Sequence, residues 1–185
     1  PMHLARADNS ALVIVDIQDK LAPAMPPDER REVFHTAQVL FQAAAELAVP
    51  VVATEQYPKG LGPTVSEVSN YLPENAQMVA KDSFSCCGEK GFLEALSATG
   101  REQVVIAGME AHVCVLQTAL ELREVGYAPF VVADGVVSRR AEHRDNALAR
   151  LRQAGVVVSN VESVLFEWLG RAGTDSFKRL SALIR

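Results

Sequence analysis

The sequence predicts a three-layer α/β/α, Rossmann-like fold on a six-stranded parallel sheet. Three observations predict it. Short β-branched runs alternate with amphipathic helical runs along the whole chain of 185 residues, the pattern of βα units whose strands lie parallel. The first run, Ala11–Val15, is apolar at every position, as a strand buried on both faces must be. A hydrophobic content of 49% over this length supplies one sizeable core, so residues 1–185 read as a single domain with right-handed crossovers.

Each element follows from its local pattern. After Ala11–Val15, the alanine-rich stretch Glu32–Val49 places Val33, Ala37, Leu40, Ala44 and Leu47 on one helical face and stops at Pro50. Val51–Ala53 is the second strand. Tyr57–Pro63 holds two prolines and two glycines and reads as a surface loop. A weak helix over Thr64–Tyr71 follows, with Thr64 and Glu67 at capping-box spacing. Gln77–Lys81 is the third strand, Glu89–Ser97 a helix, and Gln103–Ala107 the fourth strand. His112–Val125 is a helix closed by Gly126. Phe130–Ala133 is the fifth strand, with Asp134-Gly135 as the turn that ends it. Helix Glu142–Ala154, strand Val156–Val158, and helices Val161–Leu169 and Ser176–Ile184 complete the chain. The last of these presents Phe177, Leu180, Leu183 and Ile184 for packing on the domain or on a neighbouring subunit.

Composition excludes several function classes. Eighteen Lys and Arg face 23 Asp and Glu, a net charge of −5, and no basic cluster is interleaved with aromatics, so a nucleic-acid partner is not expected. No apolar run reaches membrane-spanning length, and the opening PMHLARADNS lacks the apolar centre of a secretory leader. Three cysteines, two of them adjacent and none in a CxxC pair, fit a reducing compartment, and a cytoplasmic protein is expected. The four histidines (His3, His35, His112, His143) show no ligand spacing, so neither a metal nor another cofactor is expected.

Chemistry concentrates at strand ends. Asp16 follows the first strand, Lys81 ends the third, and Cys114 lies just past the fourth, near the start of a helix. Parallel strands bring their C-terminal ends to one edge of the sheet, where open α/β sheets bind ligands. A cysteine in the first turn of a helix lies beside unpaired N–H groups and the positive end of the dipole, both of which favour the nucleophilic thiolate; the alternative is a small buried hydrophobe. Together the three residues complete one mechanism, in which Cys114 attacks, Asp16 accepts its proton, and Lys81 holds both charges in place. Gln18 and Gln56 are candidates to orient a small-molecule substrate, the alternative being local hydrogen bonding. Phe84 either walls the pocket or fills core. His112 precedes Cys114 by two positions, which face different ways on a helix, and Cys86-Cys87 reads as packing. Arg139, Arg140 and Arg144 read as solvating a helix start or an interface.

Three segments carry a family resemblance: DIQ at Asp16–Gln18, KDSFSCC from Lys81, and AGMEAHVC before the helix. In this order they resemble the isochorismatase-like cysteine hydrolases, over about Leu12 to Leu169. TEQYPKGLG (Thr54–Gly62) and GMEAHVCVLQTALEL (Gly108–Leu122) are most similar to the isochorismatase-domain-containing branch. The resemblance implies an isochorismatase-like hydrolase fold and an Asp16-Lys81-Cys114 triad. It also implies a non-proline cis peptide between Met109 and Glu110, and an oxyanion hole from the backbone N–H groups of Glu110 and Cys114. Members of the nicotinamidase type bind a metal through an aspartate and histidines after the second strand. Here that loop reads Thr54-Glu55-Gln56-Tyr57, so metal-free hydrolysis of a small amide, ureido or related acyl compound is the expectation. Homo-oligomers, tetramer or octamer, are expected from the same branch. The competing reading is a non-catalytic oligomeric scaffold that keeps the fold. Position 18 is glutamine, which argues against a phosphatase with paired aspartates, and the turn after the first strand lacks the glycines of a dinucleotide site.

Overall fold

The computed structural model describes residues 3–185. Its six strands are β1 (Ser10–Val15), β2 (Val51–Gln56), β3 (Gln77–Lys81), β4 (Gln103–Met109), β5 (Ala128–Val137) and β6 (Val157–Ser159). All pair in parallel, in the order β3-β2-β1-β4-β5-β6. The main helices are α1 (Pro27–Leu47), α4 (Lys90–Ala98), α5 (Leu116–Glu124), α6 (Ala141–Gln153), α7 (Val161–Leu169) and α8 (Asp175–Ser181). Two single turns, α2 (Pro58–Leu61) and α3 (Ser66–Ser69), lie between β2 and β3.

Alternation along the strands builds two cores. Leu12 and Ile14 of β1 join Val105, Ala107, Phe130 and Val132 against α1 and α7, and Trp168 and Leu180 seal that side. Ala11, Val13 and Val15 join Val104, Ile106 and Val131 against α4, α5 and α6. Every residue of β1 and β4 is buried, the physical reason that Ala11–Val15 and Val104–Ala107 read as unbroken apolar runs. The terminal helix packs on its own domain. Leu180 is buried, and Ser176 and Arg179 hydrogen-bond to Glu46 of α1.

Four expectations need correction. First, β2 runs three residues beyond Ala53, because Thr54, Glu55 and Gln56 pair with Val79, Ala80 and Lys81 of β3. Second, the Tyr57–Pro63 segment contains the short helix α2 rather than loop alone. Third, Thr64 caps nothing: its N–H and hydroxyl both donate to Glu55 Oε2, at 2.6 and 2.8 Å, and Val65 precedes α3. Fourth, Asp134-Gly135 is not a turn. β5 continues to Val137 through a register shift against β4 between Ile106 and Gly108. Gly135 permits this because a Cβ there would stand 2.9 Å from Ala107 Cβ and 3.0 Å from Thr36 Cγ2. Gly108 is stricter. Its φ is +133°, and a Cβ would lie 2.1 Å from the Val15 carbonyl oxygen, so only glycine lets β4 lie so close to the end of β1.

Candidate active site

The sheet order reverses direction between β1 and β4, and ligands of open α/β sheets bind at such a switch point. Asp16 leaves β1 on one side of it. Cys114 lies on the other, in a π-helical turn (Ala111–Val115) between β4 and α5. The Val115 N–H donates to the Glu110 carbonyl, five residues back, the bond that defines such a turn, and π turns recur at functional sites. Lys81 reaches in from the end of β3, two strands away.

These three residues meet. Lys81 Nζ lies 2.9 Å from Asp16 Oδ2 and 3.6 Å from Cys114 Sγ. Its side chain and that of Asp16 are fully buried. The ammonium also donates to the carbonyls of Ser83 (3.0 Å) and Phe84 (2.8 Å) and to Gln56 Oε1. Asp16 sits at φ +54°, in the left-handed region that aspartate tolerates better than most residues. Its Oδ1 accepts from the Thr54 hydroxyl at 2.8 Å. Its Oδ2 is close to the ammonium but off the axis of any donor, so it is the carboxylate oxygen without a directed hydrogen bond.

Electrostatics here differ from the expectation for a cysteine at a helix start. Burial pushes the Cys114 thiol up to about 12, and the Asp16 charge adds to the rise against the opposing pull of Lys81. The resting group is therefore a thiol, because desolvation and a nearby carboxylate outweigh the helix terminus. Burial also lifts Cys86 to about 11 and Cys87 to about 12. Burial alone would lower Lys81, but Asp16 outweighs it and holds the ammonium above the ordinary lysine range. All four shifts act in one direction. The unfolded chain releases these protons first, from about pH 9 for thiols and about 10.4 for lysine, so folding stability is full below that range and falls as pH rises. The melting temperature is thus expected to hold level from neutral pH to about pH 8 and to fall steadily above about pH 9; a profile that stays flat through about pH 10.5 would show that the thiols are not held as drawn.

The remaining candidates divide. Gln56 belongs to the cluster: its Oε1 accepts from Lys81 and lies 3.9 Å from Cys114 Sγ, while its Nε2 donates to the Asp82 carbonyl at 2.7 Å. Gln18 does not face a substrate. It is wholly buried, donating to the carbonyls of Gln56 (2.9 Å) and Gly62 (2.8 Å) and accepting from the Gln56 N–H at 2.7 Å. It fastens the α2 loop to the end of β2, the local bonding that was its alternative. Phe84 contributes its carbonyl to Lys81 and leaves its ring 57% exposed, so it does not fill core.

The Met109–Glu110 peptide bond is cis. The Glu110 carboxylate turns away to accept from the Arg139 N–H and Nε, at 2.9 and 3.0 Å. Arg140 pairs with Glu142, and Arg144 donates to the Ala133 and Val136 carbonyls across the β5 irregularity. His112 bonds through Nδ1 to Ser138 Oγ at 2.8 Å, and its ring lies 4.8 Å from that of His143, tilted by 40°. Among the described residues, no group of His, Cys, Asp and Glu side chains is arranged to hold a metal ion. A recess of about 620 Å³ between Leu4–Arg6 and α7 contains none of the cluster.

Sequence reasoning missed Thr54, the Ser83 and Phe84 carbonyls, and Thr118, whose hydroxyl accepts the Cys86 N–H at 2.9 Å. Position in β2 was the one available signal, since Val52, Thr54 and Gln56 share a strand face by alternation.

Comparison with known proteins fits this geometry. The chain is 38% identical to isochorismatase domain-containing protein 2 of Danio rerio over 175 residues, covering 95% of this chain and 86% of that one. The structure described as the MAR1 ribonuclease from Caenorhabditis elegans is 36% identical and superposes with a TM-score of 0.91, over 98% of this chain and 92% of its own. The YcaC gene product of Escherichia coli, described as an octameric hydrolase of unknown specificity, superposes at 0.86 with 26% identity, over 100% and 88%. The family model for the isochorismatase domain matches residues 10–163, nearly all of the sheet and both flanking layers, and the chain therefore belongs to the isochorismatase family.

Proposed function

We propose that this isochorismatase-family hydrolase uses Cys114 as the nucleophile on a small amide, ureido or related acyl compound. The observation that carries the reading is the convergence of thiol, carboxylate and ammonium, with Lys81 Nζ 2.9 Å from Asp16 Oδ2 and 3.6 Å from Cys114 Sγ. Asp16 takes the thiol proton while sulfur forms a bond to the substrate carbonyl carbon. The oxyanion rests on the backbone N–H groups of Glu110 and Cys114. The C–N bond then breaks, and the leaving amine departs with the proton from Asp16. Water then attacks the thioester, giving a proton to the same carboxylate; the C–S bond breaks, the acid is released, and the proton returns from Asp16 to the Cys114 sulfur. Lys81 remains an ammonium throughout, a fixed positive charge with no lone pair for Schiff-base chemistry. Gln56, whose Oε1 lies 3.9 Å from the reacting sulfur, and Phe84, whose carbonyl accepts from Lys81, are the residues that would contact the substrate, and a thiol nucleophile needs no metal to supply hydroxide.

The octamer described for the Escherichia coli relative supports a homo-oligomer here, tetramer or octamer. Three free cysteines support a reducing, cytoplasmic setting, and among the described residues no helix is long and apolar enough to cross a membrane. The test is a screen of purified protein against small amides and ureides with EDTA present, alongside single-stranded RNA and a Cys114→Ala control, with light scattering on the same sample. Cys114-dependent release of ammonia or amine, from a species larger than 20.0 kDa, is the expected result. RNA cleavage that survives Cys114→Ala would overturn the reading. An inert protein whose Cys114 resists acylation by activated esters would instead favour a scaffold.

A further inference from the structure

Asp16 sits at φ +54°, a left-handed conformation that aspartate tolerates but that its surroundings must still hold in place. Thr54 supplies that hold twice. It pairs with Val15 in the β1–β2 ladder, and its carbonyl accepts the Asp16 N–H at 3.1 Å. Its hydroxyl, on a side chain 1% exposed, donates to Asp16 Oδ1 at 2.8 Å. The direction of that bond is determined by its neighbour. Cys86 Sγ lies 3.9 Å from Thr54 Oγ1 on the other side, as a donor, and burial keeps Cys86 a thiol. A hydroxyl has one proton. With the Cys86 S–H directed at its lone pair, the Thr54 proton goes to Asp16.

The Cys86 N–H in turn donates to Thr118 Oγ1, one helical turn after Cys114. A buried chain thus runs from the helix that follows the nucleophile, through Cys86 and Thr54, to the carboxylate. It occupies Oδ1 and leaves Oδ2 as the oxygen beside Lys81, whose ammonium also reaches the Cys114 sulfur.

We propose that Thr54 is a positioning residue for the reaction, its hydroxyl holding Asp16 so that Oδ2 is presented to the Cys114 thiol. This rests on the reading of Asp16 as proton acceptor. Thr54 touches neither substrate nor the Cys114 sulfur and acts through Asp16 alone. A directed bond to an ionised group is stronger than one between neutral groups, and misplacing a reacting group by about 1 Å is enough for a hundredfold loss.

The test uses p-nitrophenyl acetate as an activated acyl probe, on the full chain, with Thr54→Val, Thr54→Ser and Asp16→Asn. Valine keeps the shape and removes the hydroxyl; serine keeps the hydroxyl and removes the methyl. Thr54→Val is expected to lower kcat by about 10- to 100-fold with KM little changed. Thr54→Ser should stay near wild type despite its smaller volume. A packing role would reverse that order, with serine worse than valine, and would overturn the proposal. If Asp16→Asn is slow but Thr54→Val turns over like wild type, the Thr54 inference fails and the function reading stands. If Asp16→Asn turns over like wild type, the proton-acceptor reading fails and the inference with it. A second measurement needs no substrate. In a crystal structure of Thr54→Val, or of Thr54→Ala should the valine variant not fold, the Asp16 carboxylate is expected to have rotated away from Lys81. An unmoved carboxylate would overturn the proposal.

Discussion

Cys114→Ala is expected to reduce turnover of the amide or ureide substrate by about four orders of magnitude or more, with the fold intact. Nucleophile and base act as one unit, and losing the nucleophile alone typically removes most of what the whole unit contributes. The fold should persist because the substitution leaves the Lys81–Asp16 pair and the four other acceptor and donor contacts around it in place, apart from the 3.6 Å contact to sulfur. Steady-state kinetics on variant and wild type, matched for far-UV circular dichroism, measure the effect. Residual turnover within tenfold of wild type would place the nucleophile elsewhere.

The largest stability effect should come from Lys81. Replacing it by methionine leaves the buried Asp16 carboxylate without its counter-charge and strips a donor from the Ser83 and Phe84 carbonyls and from Gln56 Oε1. Breaking a buried pair from one side costs about 3–5 kcal/mol, because a charge is stranded in a poorly polarisable interior. For a domain of this size that is a fall of roughly 6–20 °C in melting temperature. Asp16→Asn with Lys81→Met together should recover much of the loss, since no charge is then stranded. Scanning calorimetry on the two single variants and the double distinguishes this from simple loss of packing. Additive losses in the double variant would contradict it.

The fold was legible because its signals are side-chain patterns. Ala11–Val15 has no polar face to mislead, and the order of apolar runs and helical stretches matches the observed order of the six strands and of the helices between and after them, apart from the single turn α2. Errors arose where tertiary contact overrode local chemistry. Asp134-Gly135 has turn composition, yet the small Gly135 is there to admit Ala107 and Thr36. Thr64 has cap spacing, but Glu55 takes both of its donors. At the site, Asp16, Lys81 and Cys114 were legible as polar residues at strand ends. Most of what surrounds Lys81 was not, because the Ser83 and Phe84 carbonyls belong to the main chain and carry no residue-type signature. Gln18 shows the opposite error: a polar residue beside the motif that serves architecture instead.

The sealed position of the Lys81 ammonium makes the interior selective about where a proton goes. Thiol, carboxylate and ammonium sum to zero charge. Thiolate, carboxylic acid and ammonium also sum to zero. Passing the proton from Cys114 to Asp16 therefore only reorients a dipole inside the protein. Releasing the same proton to water would leave a net negative charge in a medium that solvates it poorly, and the Cys114 value of about 12 reflects that difficulty. Internal transfer stays accessible while external ionisation is disfavoured, so the sulfur gains its nucleophilic form chiefly when a carbonyl carbon is held against it.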